Sequence, residues 1–325
     1  MRLLAAFFNL FELPLRQAQR WLGLDRLGWL FVAPNLIVFG LFCFLPIVIN
    51  LVYASTGGVK LMPWERPFTG AENFQILFEC GNYLDLSTCR KDVFWRAILN
   101  TAKFSVLQVG LMVLFAMLTA LVLNRKIIGR GFWRGVFFYP VLLSPVVVAL
   151  IWKWLLQSQG AFNAVLGAWE LPPVEWLTDA GWAFFWTVFV SIWSHMGFYT
   201  LILLAGLQAI PKDLYEAAEM DRASPWRVLT RITLPLLMPN LVVVLVLAAI
   251  RAVQVFDEVF VLTGGGPGSA TTFIVQFIYQ TGFAEQIHLY GLAAAASLAL
   301  AVFLILLTLA QLRLTRANEL GRKGR

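Results

Sequence analysis

Two clusters of polar side chains interrupt apolar stretches of this 325-residue chain and carry most of the chemistry it can offer. Arg251, Gln254 and Glu258 fall at i, i+3 and i+7, which on a continuous helix is one face, and Asp257 stands beside them. Ser191, Ser194, His195, Tyr199 and Thr200 form a second band. A charge at bilayer depth costs about 3 kcal/mol and is kept where it faces a cavity or a partner. Two readings of the first cluster stand: a hydrophilic wall of a path through a membrane, or an intersubunit ion pair with a snorkelling Arg251. The second band offers hydroxyls suited to a hydroxyl-rich ligand, or simply bonds backbone and neighbouring helices. The candidates for lining a path are Ser194, Tyr199, Arg251, Gln254 and Asp257.

Covalent chemistry finds no support. Gly264, Gly265, Gly266 and Gly268 form a glycine-rich run with no Lys after it, so it lacks the phosphate-cradling loop of a nucleotide site. No Cys, Asp or Glu stands at metal-ligand spacing around His195, and no nucleophile elbow or paired-carboxylate motif occurs. The expectation is a chain without metal, cofactor or catalytic residues.

The elements that must hold these groups follow from composition. With 60% hydrophobic and 13% charged residues and a mean hydropathy of +0.76, the chain needs the bilayer as solvent. A helix crosses the hydrocarbon in about 20 apolar residues. Six stretches qualify: 30–53, 98–123, 132–156, 182–207, 236–262 and 290–312. The fold class is therefore all-α, an integral membrane domain over 29–313.

Lys and Arg orient it. Arg125, Lys126, Arg130 and Arg134 follow the second stretch, and Lys212, Arg222, Arg227 and Arg231 follow the fourth. The tail over 314–325 is basic as well, whereas 157–181 contains no Lys or Arg. These loops share the cytoplasmic side, with both termini, and the arm over 1–28 reads as an amphipathic cytoplasmic segment. The net charge of +7 reflects this bias, and no basic-aromatic motif points to nucleic acid. The outer loop over 55–96 holds Cys80 and Cys89, for which a disulfide is plausible in an oxidising compartment. Trp152, Trp154, Trp176 and Trp182 read as an aromatic belt at the outer interface. Lys153 reads as snorkelling.

The cytoplasmic loop over 208–235 is the most informative segment. After Pro211, a short helix carries Tyr215, Glu216, Ala217 and Ala218 to Asp221. Arg222 marks an elbow; Ser224 then caps a second helix that starts at Pro225 and runs to Pro235. Ala217 and Ala218 let a partner approach the backbone, and Glu216 offers a charge to a partner's Arg, as in helix-in-groove docking. The alternative is an amphipathic loop on the headgroups.

Glu216, Ala217 and Ala218, followed by Ile232, Leu234 and Pro235, resemble the EAA motif of permease subunits of bacterial ABC importers. GLQAIPKDLYEAAEMDRAS over 206–224 and FDEVFVLTGGGPGSATT over 256–272 are similar to the carbohydrate-uptake branch of that family, the MalF-like and UgpA-like permeases. Arg222 departs from the pattern, because the family has Gly at the elbow, where a helix end needs a left-handed residue.

The resemblance implies a type I ABC importer permease taking up a sugar or sugar derivative. Its implied partners are a homologous, MalG-like second permease, an ABC ATPase dimer that binds ATP and Mg, an extracytoplasmic solute-binding protein, and lipid of the bacterial or archaeal inner membrane. Tyr215, Glu216, Ala217, Ala218, Asp221 and Arg222 would couple hydrolysis to gating. The rival reading is an ion-coupled secondary transporter using Arg251, Asp257 and Glu258, which leaves the cytoplasmic double helix unexplained.

Overall fold

A computed structural model describes residues 23–323, so most of the arm over 1–28 lies outside it. Among the described residues the chain is helical, with two isolated bridges, Thr56–Phe68 and Cys80–Cys89. Helix α1 (Leu24–Phe39) passes through a π-turn into α2 (Leu45–Ala54). The outer loop contains α3 (Glu72–Phe78), and α4 (Asp92–Asn124) follows. Then come α5 (Arg130–Phe138), α6 (Pro145–Leu156), α7 (Ala161–Ala168) and α8 (Ala180–Gln208). The loop after α8 forms α9 (Lys212–Met220) and α10 (Pro225–Val228). The remainder is α11 (Leu234–Val253), α12 (Asp257–Leu262), α13 (Ile274–Tyr279) and α14 (Tyr290–Lys323).

Among the described residues five helices are long and apolar enough to span a membrane, and a sixth span arises only if α5 and α6 count as one broken crossing. The stretch over 132–156 is thus not the straight helix its hydropathy suggests. It bends by 99° between Leu142 and Pro145. Pro140 and Pro145 explain the break: each lacks an amide donor, and the residue before a proline is driven out of the helical region, as Ser144 is at φ −61°, ψ 137°. The elbow of this broken span presses on α8 at Gly197, where a Cβ would lie 2.3 Å from the Phe137 carbonyl oxygen.

A second correction concerns the stretch over 236–262. The helix beginning at Pro225 does not stop at Pro235 but continues through a π-turn (Leu229–Thr233) into α11 and ends at Val253. Pro235 is tolerated because it sits where the π-turn hands over to α11. Gln254 and Phe256 leave helical geometry, and α12 starts afresh.

The main core packs α4, α8 and α11 through Met112, Ala116, Leu203, Leu237, Val244 and Ala248. Small residues of α14, Ala294 to Ala296, join Ala54, Leu77, Phe94 and Phe277 in a second core. By contrast, the apolar window of the first span is unburied within the chain. At its outer end Arg66, 7% exposed, donates to Thr56 and to the Lys60 carbonyl and lies over the Tyr53 and Tyr290 rings. Burial lowers its pKa, and the two phenols oppose that shift. Cys80 and Cys89 form a disulfide in this loop. The tryptophans are less a belt than a packed group: Trp152 meets Trp186 at 5.6 Å and Trp176 meets Trp182 at 4.9 Å, and of the four named above Trp154 is the most exposed, at 62%.

Candidate functional site

Two regions gather the residues singled out above. The first is the elbow over 211–235. Leu214, Glu216, Ala217, Glu219 and Met220 are exposed on α9, whereas Ala218 is buried and Tyr215 half-buried. Ala217, not Ala218, therefore offers the close-approach surface beside Glu216. Tyr215 turns inward, its hydroxyl 3.2 Å from Thr233 Oγ1 at the foot of the fifth span. Thr233, 18 residues away, has no signal in the sequence.

The helix end at the elbow is a Schellman motif. The Ala223 amide donates to the Ala218 carbonyl and the Arg222 amide to the Glu219 carbonyl, each at 2.9 Å. Arg222 holds φ +50°, so an L-residue occupies the left-handed position where the resembling family has Gly, and the turn keeps its form. Ser224 Oγ accepts from the Arg227 amide at 3.4 Å, capping α10 as its type and position suggest. A cavity of about 470 Å³ lies behind α9, lined by Arg125, Tyr215, Glu219, Trp226 and Thr233 among others.

The second region lies where α8 crosses the fifth span. His195 Nε2 is hydrogen-bonded to Arg251 Nη2, while Nδ1 lies 2.9 Å from the Ser191 carbonyl and 2.8 Å from Ser194 Oγ. Because a guanidinium can only donate, Nε2 must present its lone pair and the proton sits on Nδ1, directed at the Ser191 carbonyl. Ser191 Oγ in turn donates to buried Glu258 Oε1 at 3.3 Å. A run of hydrogen bonds thus links Arg251 to Glu258 through His195 and both the backbone carbonyl and the hydroxyl of Ser191, and leads across the helix break.

That break overturns the single-face arrangement of Arg251, Gln254 and Glu258. Arg251, Gln254 and Asp257 are exposed, whereas Glu258 turns inward with Ser191 and Ser194. Tyr199 is buried at 2% exposure and packs in the core, so the structure does not bring it to the exposed face. Thr200 bonds its own helix at the Met196 carbonyl, 2.9 Å away. Lys153 donates to the Val261 carbonyl at 3.1 Å, closing the end of α12. The Gly264–Gly268 run forms a turn in which Thr271 bonds the Gly266 carbonyl. No group of three metal-ligating side chains occurs among the described residues.

The geometry is that of a membrane protein with an exposed polar face at one end of the Pro225–Val253 helix and an exposed short helix, α9, beyond the other. Residues 112–319 match the family described as binding-protein-dependent transport system inner membrane component. The chain is 37% identical over 292 residues, 90% of its length and 94% of the relative's, to the trehalose/maltose transport system permease protein MalF of Thermococcus litoralis. It is 32% identical, over 95% of its length and 97% of the relative's, to the sulfoquinovosyl glycerol transport system permease protein SmoG of Agrobacterium fabrum. A solved bacterial ABC transporter importing the acidic polysaccharide alginate superposes with a TM-score of 0.76 at 28% identity, covering 93% of this chain and 99% of that one. The chain belongs to the permease subunits of binding-protein-dependent ABC importers, multi-pass proteins of the inner membrane.

Proposed function

We propose that this chain forms one half of the translocation pathway for a sugar or sugar derivative delivered by a solute-binding protein. The observation that carries the proposal is the continuity of the helix over Pro225–Val253. It joins the docking elbow at one end to Arg251 and His195 at the other. Displacement of α9 by a partner ATPase would reach the polar face through one rigid element, with Tyr215 and Thr233 as the joint.

Relatives support the substrate class: their names specify trehalose/maltose, starch degradation products and lactose. Exposed Arg251, Gln254 and Asp257 provide donors and acceptors for hydroxyl-rich ligands. The chain does mechanical work and performs no covalent step; ATP and Mg belong to the ATPase dimer. A homologous second permease covers the exposed polar face, and both termini are cytoplasmic.

Purification of the tagged chain from its native membrane, wild type against Glu216→Lys, tests this by mass spectrometry of what accompanies it. Co-recovery of an ATPase and a second permease, with the ATPase lost in the variant, is expected. Recovery of the chain alone under conditions that preserve known importers would overturn the reading and favour an ion-coupled transporter.

A further inference from the structure

Helix α5, the first limb of the broken span, is short, basic and amphipathic. Arg130 and Arg134 stand one turn apart on it. With its amide oxygen turned toward them, Gln208 accepts from Arg134 Nη2 at 2.8 Å and from Arg130 Nη2 at 3.1 Å. Neither guanidinium has an acidic partner among the described residues. Each also keeps a buried Nε without an acceptor. Two cations thus converge on one neutral oxygen and leave most of their donors and all of their charge unanswered.

Arg125 and Lys126, both exposed, extend the basic group to four. Beside it stands an apolar surface: Ile128 is 99% exposed and Phe132 70%, with Trp133 and Val136 also open. A helix with a basic side, an adjoining aromatic side and its place at the end of a membrane span fits the headgroup layer. Clusters of four or more Lys and Arg next to a membrane span select anionic lipid, and here two lie on α5 and two just before it.

We infer that α5 and Gln208 form a binding site for the phosphodiester headgroup of an anionic phospholipid, whose acyl chains lie against Phe132 and Trp133. Gln208 closes α8 and stands three residues before Pro211, so the lipid charge is held at the root of the coupling loop. The leaflet, cytoplasmic, rests on the importer reading; the site itself does not.

The test uses the purified complex in neutral detergent, titrated with phosphatidylglycerol, phosphatidylcholine or inorganic phosphate and read by native mass spectrometry and thermal shift. Phosphatidylglycerol is expected to bind and stabilise, with phosphatidylcholine and phosphate ineffective. Arg130→Gln with Arg134→Gln should weaken it roughly 25-fold, about fivefold per charge. Lys60→Gln, a charge removed from the outer loop, should leave it unchanged. A photoreactive phosphatidylglycerol on the wild-type complex should label 128–138, a readout that survives if the double variant fails to assemble. Labelling elsewhere alone, equal binding of phosphatidylcholine, or equal stabilisation by free phosphate would each overturn the site. No arm requires ATP hydrolysis, so a negative result leaves the importer reading standing.

Discussion

Tyr215 on α9 and Thr233 at the foot of the fifth span meet through their hydroxyls at 3.2 Å, across an elbow of Schellman and Ser-cap geometry. This contact ties α9 to the helix that carries Arg251; in the proposed function it is the joint between the helix a partner ATPase would push and the helix that would move.

Tyr215→Phe removes one hydroxyl and little volume. It should cost about 1 kcal/mol of stability, the ordinary net worth of a hydrogen bond. The complex should still assemble, but transport per ATP hydrolysed in proteoliposomes should fall. An unchanged ratio would show that the elbow angle is set by the backbone alone.

Arg222 occupies a left-handed backbone position that disfavours a side chain. Arg222→Gly should therefore raise stability by about 1 kcal/mol, read as a higher midpoint of thermal unfolding in detergent. A lower midpoint would mean that the Arg side chain contributes more than its backbone conformation costs.

Gly197 leaves no room for a methyl group against Phe137 and Phe138. Gly197→Ala should destabilise by about 1–3 kcal/mol, the usual range for overpacking, and lower the yield of folded protein. Ala at the equally helical but open Gly110 is the control and should be neutral or better.

Asp85 caps the turn at Leu86–Thr88, accepting from the Ser87 hydroxyl and amide, and these bonds lower its pKa. A carboxyl depressed in the folded state stabilises above its unfolded pKa near 3.8 and loses that contribution as pH falls through the lower folded value. Protease cleavage of the 82–89 segment should thus rise only on acidification below about pH 4, and Asp85→Asn should abolish that dependence.

The spans were legible because hydropathy over about 20 residues is a strong signal. Arg222 was legible as an oddity, because helix ends with this pattern require positive φ. The bend of the third span was written in Pro140 and Pro145, but a continuous apolar run overrode it. The break after Val253 had no such marker: RAVQVFDE contains neither Gly nor Pro, and the contacts that hold the new helix, Glu258 with Ser191 and Lys153 with the Val261 carbonyl, are tertiary. Likewise, His195 read as one member of a polar band on α8, and its partner Arg251 had no signal because it lies 56 positions away. Hydropathy also says nothing of which side of a span is covered, so the unburied first span and the inward turn of Ala218 emerged only from the packing.

The unbroken helix over Pro225–Val253 has 29 residues, a length of about 44 Å at about 1.5 Å per residue. Pivoted at one end, it is a lever: a tilt of about 5° gives a stroke of about 4 Å at the other, roughly the size of a hydroxyl group with its hydrogen bond. A small input at the elbow would therefore suffice to shift Arg251 against His195 at the far end. The gear ratio is set by helix length rather than by any single contact.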